Sequence, residues 1–177
     1  MTPDQSTLHQ QFESRITEHR KIVYKICNAY CPDRDDREDL AQEMLVQLWR
    51  SFPSFDGRCS FSTWMYRVAL NTALSYSRRE FRRRRHVVAA DELVLAAVPA
   101  PEPPETDAAE MLHKLIALFD PLNKALLLLH LDGNSYQEIA DVLGISTTNV
   151  ATKINRLKET LRNQMGSEAP SNKEDAQ

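Results

Sequence analysis

Residues 135–161 read SYQEIADVLGISTTNVATKINRLKETL, and this stretch decides the fold of the C-terminal part of the chain. Ser135 followed by Glu138 is a capping box, which predicts that a short helix begins here. Gly144 stands where that helix needs a left-handed C-cap, and Ser146 can cap a longer helix after it. A short helix, a tight turn and a longer helix predict a helix-turn-helix.

The longer helix separates apolar from polar side chains. Val150, Ile154 and Leu157 recur at helical spacing and predict the face that packs inward. Threonine, asparagine, lysine and arginine, which contact base edges and phosphates in a major groove, occupy the other side. The plain alternative is a helical hairpin with a solvated polar face. We predict DNA contacts at five positions: Thr148, Thr152, Lys153, Asn155 and Arg156.

Composition predicts the same all-α class for the whole chain. Only four glycines in 177 residues and 7% aromatic residues argue against an all-β fold. The longest apolar run, 125–129, falls far short of the roughly 20 residues that a membrane helix needs. Residues 1–11 are polar and lack the apolar core of a signal peptide. We therefore expect a cytoplasmic protein that is not embedded in a membrane.

A proline-rich segment predicts two domains. Residues 98–105 contain four prolines, which cannot lie inside a helix and favour an extended linker. We expect an N-terminal helical domain at 8–86, a linker at 87–107, a C-terminal domain at 108–165 and a disordered tail at 166–177. The expected helices before the helix-turn-helix cover about 8–30, a segment capped by Asp35 or Asp36, a segment from about Ser60, about 108–119, and a segment from Pro121 to about Asp132.

Charge is distributed unevenly along the chain. Residues 51–90 contain eight arginines and two acidic residues, whereas residues 91–120 contain seven acidic residues and one lysine. This pattern indicates a polyanion-binding element beside an acidic linker. On the helix expected after Ser60, a polar stripe could follow a phosphate backbone while an asparagine and nearby aromatic rings hold an unstacked base. The alternative is a surface helix with a solubilising arginine end. The stripe comprises Arg67, Asn71, Ser75, Arg78, Arg79 and Arg82.

The helix expected after Asp35 has an acidic face opposite its leucines, formed by Asp36, Asp39, Gln42 and Glu43. Acidic side chains on a DNA-binding protein indicate a basic protein partner. Their alternative role is to complement the helix dipole in the first turn.

Three cysteines, Cys27, Cys31 and Cys59, favour packing over chemistry. Cys27 and Cys31 lie four residues apart, so a metal half-site is conceivable, but no histidine stands close to them in the sequence. We expect no metal, no cofactor and no catalytic residue.

Two groups of motifs resemble a known family. Residues 36–44 (DREDLAQEM), then Trp49, Phe52 and residues 61–71 (FSTWMYRVALN), resemble region 2 of bacterial sigma factors of the extracytoplasmic-function (ECF) type. Residues 135–140 (SYQEIA) and the helix that follows resemble region 4. The resemblance covers about 8–163, with the linker in place of region 3, and implies two small helical domains.

The resemblance also implies roles for individual residues. It places polymerase docking, on the clamp helices of the β′ subunit, at Asp36, Asp39, Gln42 and Glu43. It places capture of a flipped −10 base and duplex melting in the loop 52–61 and the helix after it, at Phe55, Phe61, Tyr66, Arg67, Asn71, Arg78 and Arg79. It assigns the −35 element to the five helix-turn-helix positions and part of the β flap contact to 121–131. It further implies core RNA polymerase, promoter DNA and an anti-sigma factor as partners.

These observations favour an alternative sigma factor that opens promoters without hydrolysing nucleotides, and not an enzyme. One rival is a stand-alone helix-turn-helix regulator, which leaves the acidic helix and residues 64–71 without a role. A second rival is a DNA recombinase with a helix-turn-helix tail. A recombinase needs a nucleophile within an arginine cluster. Tyr76 and Ser77 do precede Arg78, but the domain is small, helical and poor in histidine.

Overall fold

The computed structural model describes residues 5–87, 116 and 119–167, and every regular element in these ranges is helical. This confirms the expected all-α class. The linker beyond 87, most of the expected helix 108–119 and the tail from 168 onwards lie outside the described residues. None of the described helices is long and apolar enough to cross a membrane. The helices are α1 (Gln5–Tyr30), α2 (Arg34–Ser51), a 3-10 turn (Phe52–Ser54), α3 (Phe61–Val87), α4 (Pro121–Leu131), α5 (Tyr136–Leu143) and α6 (Thr147–Ser167).

The N-terminal domain is a bundle in which α1, α2 and α3 all pack on one another. Asp33 is the N-cap of α2, because its carboxylate accepts hydrogen bonds from the backbone N–H groups of Asp35 (2.8 Å) and Asp36 (3.4 Å). The expected cap at Asp35 or Asp36 was therefore wrong by two or three residues, and both lie in the first turn. The centre of the bundle consists of side chains that are at most 1% exposed: Ile26, Leu40, Met44, Leu48, Met65 and Leu70.

The first complete helix described in the C-terminal domain is α4, and it begins at Pro121, where the sequence predicted it. The Asp120 carboxylate accepts from the backbone N–H groups of Leu122 and Asn123, both at 3.1 Å, and proline occupies the first helical position. The capping box also forms: Ser135 Oγ accepts from the backbone N–H of Glu138 at 3.2 Å, and the Glu138 carboxylate accepts from Ser135 N–H at 2.8 Å. These caps fix where α4 and α5 begin.

The two domains touch through α4 and α5. Helix α4 packs on α1 and α3, and α5 packs on α3. The Tyr30 hydroxyl donates to the carbonyl oxygen of Pro121 at 2.5 Å. Asp132, just after α4, accepts from the Tyr66 hydroxyl and forms an ion pair with Lys25. The buried side chains of both domains consequently form one continuous core.

Candidate promoter and polymerase interfaces

Helix α6 brings all five predicted −35 contacts onto its outer side. Thr148, Thr152, Asn155 and Arg156 are exposed and Lys153 is half-buried. On the inner side Val150, Ile154 and Leu157 are buried against α4 and α5. The polar surface therefore covers about two turns of a single helix, which is the length that fits into a major groove.

The turn before α6 is held by local interactions. Gly144 has a φ of +68°, the left-handed conformation that favours glycine, and its N–H donates to the carbonyl of Ala140 at 2.8 Å. Ser146 Oγ accepts from the backbone N–H of Asn149 at 3.2 Å and so caps α6. The backbone N–H and hydroxyl of Ser135 lower the pKa of Glu138, which keeps the capping box ionised at neutral pH. The orientation of α6 thus depends on residues close to it in sequence.

Helix α3 carries the predicted polar stripe on an exposed face. Arg67, Asn71, Ser75 and Arg78 follow one another at steps of three or four residues, and all four side chains are exposed. Arg79 turns away from this stripe and donates to Glu43 of α2 at 2.5 Å. The hydrogen bond to Glu43 raises the pKa of Arg79, so its charge is secure at any physiological pH.

The predicted aromatic contacts Phe55 and Phe61 pack in a cluster of rings near the start of α3. Phe61 is only 5% exposed and packs in a ring cluster with Phe52, Phe55 and Trp64, at centroid distances of 5.2–6.3 Å. Phe55 is half-buried, and the Arg15 guanidinium lies 5.8 Å from its centroid. The cluster fixes the loop after α2 against α1 and α3. Phe61 and Trp64 of this cluster are buried, whereas the stripe that carries Asn71 is exposed.

Tyr66 lies on the side of α3 that faces the C-terminal domain. Its side chain is 3% exposed, and its hydroxyl donates to Asp132. Burial and, second, the hydrogen bond to Asp132 raise the pKa of Tyr66 far above its usual value, so the phenol remains a donor. In this arrangement Tyr66 joins the two domains, and the structure does not bring it together with Asn71.

The predicted docking residues on α2 fall into two pairs. Asp39 and Gln42 are exposed. Asp36 accepts from the Tyr76 hydroxyl at 3.2 Å, and Glu43 is engaged by Arg79. Val46, seven residues after Asp39 and so on the same face, is 46% exposed. Sequence reasoning missed Val46, although its spacing from Asp39 could have revealed it.

The apolar helix α4 is largely covered. Residues 125–129 are buried, while Leu131 is 53% exposed beside Asp132. The accessible parts of the predicted surface 121–131 are therefore the two ends of α4, residues 121–124 and 130–131, whereas 125–129 pack inside the protein.

A groove lies between α2 and α3, with a volume of about 330 Å³. Asn71, a predicted site residue, lines the groove from α3, and Gln47 and Ser51, which were not predicted, line it from α2. No local pattern could have identified these two residues, because the groove exists only once α2 and α3 pack together. Its lining consists of Glu43, Gln47, Ser51, Val68, Asn71, Thr72 and Ser75.

The cysteines belong to the N-terminal core. Cys27 and Cys31 are buried, and burial raises the pKa of their thiols to about 11 and about 12, respectively. Among the described residues no three histidine, cysteine or acidic side chains are grouped as a metal site requires.

Comparison with known proteins identifies the family. The family model "Sigma-70 region 2" matches residues 15–85, and the model "Sigma-70, region 4" matches residues 109–161. The ECF RNA polymerase sigma-E factor of Haemophilus influenzae is 30% identical over 165 residues, which cover 87% of each chain. The chain belongs to the ECF family of RNA polymerase sigma factors. It is an alternative sigma factor, a protein that directs RNA polymerase to promoters.

A further relative and a solved structure are similar to this chain. The ECF sigma factor SigE of Mycolicibacterium smegmatis is 28% identical; the match covers 91% of this chain but 63% of that longer protein. The solved structure of the sigma factor RpoE from Bartonella quintana, in complex with the anti-sigma factor NepR, shares the fold, with a TM-score of 0.71 and 17% identity. That match covers 90% of this chain and 99% of RpoE.

Proposed function

We propose that this ECF sigma factor divides promoter recognition between its two domains. The region 4 domain (α4 to α6) binds the −35 element through α6, and the region 2 domain (α1 to α3) docks on core polymerase, binds the −10 element and opens it. The observation that carries this proposal is the presence of three exposed polar surfaces: the outer side of α6, the acidic face of α2 and the arginine stripe of α3. A stand-alone regulator would need only the first.

The docking surface in this proposal centres on Asp39, Gln42 and Val46. Two polar side chains beside an exposed apolar one suit a partner helix that offers basic and apolar groups. Asp36 and Glu43 complete the set, and Glu43 must exchange Arg79 for a basic group of the polymerase. The clamp helices of β′ are the proposed partner, and the exposed end of α4 is proposed to meet the β flap.

Promoter opening is proposed to draw on binding energy alone. An extruded base loses stacking and pairing worth a few kcal/mol, which the protein must replace. Asn71 offers a donor and an acceptor, and Arg67 and Arg78 can hold neighbouring phosphates. For Tyr66 to take part, the two domains must first separate, because Asp132 covers its hydroxyl. The protein in this account performs no covalent chemistry and acts in the cytoplasm with the polymerase.

An anti-sigma factor is a further proposed partner. The similar RpoE was solved with the anti-sigma factor NepR. The present chain shares that fold, and its domains are packed together with Tyr66 inaccessible. A protein that stabilises this packed arrangement would keep the region 2 surface from the promoter.

The proposal can be tested by reconstituted transcription. Purified bacterial core polymerase and genomic DNA are incubated with and without the protein, and run-off transcripts are sequenced. We expect discrete start sites that require the protein. If the protein binds duplex operators at nanomolar concentration without polymerase and supports no initiation, the stand-alone regulator is correct. Nicking of supercoiled DNA by the protein alone would instead support the recombinase.

A further inference from the structure

Arg79 belongs in sequence to the polar stripe of α3, but in the structure it is held by the docking face of α2. Its guanidinium donates to the Glu43 carboxylate at 2.5 Å and lies over the ring of Tyr76, with 5.7 Å from Cζ to the ring centroid. Glu43 is one of the proposed docking residues, whereas the sequence predicts Arg79 as a contact of the −10 element. One ion pair therefore joins two surfaces that are proposed to bind different partners.

Arg79 can reach the stripe once it is released from α2. On a helix, residues three and four positions apart are neighbours. Ser75 precedes Arg79 by four positions and Arg82 follows it by three, and both are exposed members of the stripe. Glu80, another acidic residue whose charge acts on Arg79, forms an ion pair with Arg83 at 2.9 Å. A released Arg79 is therefore well placed to hold a phosphate beside the stripe.

The ion pair between Arg79 and Glu43 is weak enough to be exchanged. The two side chains are 50% and 29% exposed, respectively. Pairs in contact with solvent change an equilibrium constant by only about 1.4- to fivefold. A basic group of the polymerase and a phosphate of the promoter can replace both partners together, so that Glu43 keeps a cation and Arg79 keeps an anion. Either exchange alone leaves one of the two charges unpaired.

We propose that Arg79 is shared between the two interfaces: it holds Glu43 in the free protein and passes to the phosphate backbone of the promoter when the polymerase takes Glu43. This inference rests on the proposed function, since it requires docking through α2 and promoter binding through α3. Coupling between two binding sites is reciprocal, so a promoter that binds Arg79 also frees Glu43 for the polymerase. The exchange makes each partner favour the binding of the other.

The test compares Arg79→Gln with its neighbour variant Arg78→Gln. Both substitutions remove one positive charge from α3 and leave a polar side chain. Arg78 is exposed and forms no ion pair with an acidic side chain in the part of the chain that the structure describes, so its variant controls for the change in charge. Binding to core polymerase is measured without DNA, and binding of the holoenzyme to a promoter fragment is measured at several salt concentrations.

The expected result is two effects of opposite sign in one variant. Arg79→Gln should bind core polymerase about 1.4- to fivefold more tightly than wild type, because Glu43 no longer has an internal partner. Arg78→Gln should bind core polymerase as wild type does. Both holoenzymes should lose promoter affinity, and the slope of log K against log salt should fall in magnitude by about one for each phosphate contact that is lost.

A double-mutant cycle assigns the gain in core affinity to the ion pair itself. When Glu43→Gln is already present, Arg79→Gln should no longer raise the affinity for core polymerase. A gain of the same size in that background would show that Arg79 acts through the general charge of α3, and the proposed exchange would be wrong.

Failure of this inference can be distinguished from failure of the proposed function. If wild type binds core polymerase but Arg79→Gln binds it no more tightly than Arg78→Gln does, Arg79 does not compete for Glu43. If Arg79→Gln keeps the promoter affinity and salt slope of wild type, Arg79 does not pass to the DNA. Either result overturns the inference. If wild type neither binds core polymerase nor opens promoters, the proposed function itself fails.

Discussion

The two predicted DNA-binding surfaces differ in how the chain builds them. The α6 surface belongs to one helix, and the spacing within that helix placed all five predicted residues on its outer side. The region 2 surface combines α2, α3 and a loop, so spacing along one helix could place only part of it. Arg67 and Asn71 are exposed as expected, but Phe61 and Tyr66 are buried. Periodicity thus identifies a surface on one element and misses one that depends on packing.

Accessibility differs between the two surfaces as well. The outer side of α6 is open, because its contacts with α4 and α5 involve the opposite side. The region 2 domain has Tyr66 under the C-terminal domain, with its hydroxyl on Asp132. The predicted −35 surface is therefore accessible in this structure, whereas Tyr66 of the predicted −10 surface is covered by the C-terminal domain.

The largest expected effect is a loss of affinity for core polymerase when the charges on α2 are reversed. Asp39→Lys combined with Glu43→Lys should weaken binding to core polymerase by about 2–5 kcal/mol, because inverted charges would face the basic groups of the partner. Asp39→Lys alone, at an exposed position, should show a substantial part of the loss and leaves the pair between Glu43 and Arg79 intact. Fluorescence anisotropy with labelled core polymerase measures the affinity.

The control for this charge reversal is Glu13→Lys with Glu18→Lys, two exposed positions on α1 with the same change in charge. Equal losses in both double variants would show an effect of net charge, and wild-type affinity at moderate salt would remove α2 from the docking surface.

A smaller loss of affinity, limited to the upstream −35 element, is expected for a substitution on α6. Arg156→Ala should cost about 1–3 kcal/mol on the preferred −35 sequence and relax the choice of base, because an exposed arginine on α6 can form paired contacts with a guanine. Holoenzyme binding to matched and scrambled upstream sequences measures it, with Arg162→Ala near the end of α6 as the control. An equal loss on both sequences would mean that Arg156 contacts only phosphate.

The local scaffold of α6 predicts a third, still smaller effect. Ser135→Ala removes the side-chain half of the capping box and should lower the free energy of unfolding by about 0.5–2 kcal/mol, with weaker −35 binding and unchanged docking. Urea denaturation followed by circular dichroism measures the stability. Ser60→Ala is the counterpart in the other domain, since Ser60 Oγ accepts from Thr63 N–H at 3.1 Å.

The capping box also predicts a pH dependence. Ser135 depresses the pKa of Glu138 in the folded protein, so the box stabilises the fold above the ordinary pKa of glutamate. This stabilisation should disappear as the pH falls through the lowered pKa. Ser135→Ala, which loses the hydroxyl but keeps the backbone N–H, should reduce that dependence. If the free energies of unfolding of wild type and Ser135→Ala fall in parallel as the pH is lowered, the hydroxyl of Ser135 does not lower the pKa of Glu138.

The smallest effect concerns the buried thiols of the region 2 domain. Cys27 and Cys31 have thiol pKa values raised to about 11 and about 12, so at neutral pH they should react slowly with an electrophilic reagent that requires the thiolate as nucleophile. Half-buried Cys59 should react first. The raised pKa values of Cys27 and Cys31 stabilise the fold at neutral pH, and that stabilisation should be lost as the pH rises from about 9. Rapid reaction of all three thiols in native protein would contradict the packing of α1.

Local signals predicted most of the helices. The N-cap Asp120, the capping box at Ser135 and the turn at Gly144 lie where the sequence placed them, because each involves residues a few positions apart. The cap of α2 was misplaced because three aspartates compete within four residues, and only Asp33 has the extended backbone of an N-cap.

Contacts between elements could not be predicted in this way. Nothing local to Tyr66 shows that Asp132 will cover it, and nothing local to Gln47 shows that Asn71 will face it. Both relations depend on how helices distant in sequence pack. The resemblance to sigma factors supplied roles for Tyr66 and Asn71 but not the arrangement that separates them.

The division of work between the domains is tested most directly by permanganate footprinting of promoter thymines in holoenzymes that carry Asn71→Ala or Arg156→Ala. On a promoter bound at saturating concentration, Asn71→Ala should bind core polymerase and the upstream element nearly as wild type does, yet leave the −10 thymines unreactive. Arg156→Ala should show the reverse pattern, with weakened binding but reactive thymines once the promoter is bound. If Asn71→Ala opens the duplex as well as wild type does, Asn71 does not capture a base and the assignment of promoter opening to the stripe of α3 is wrong.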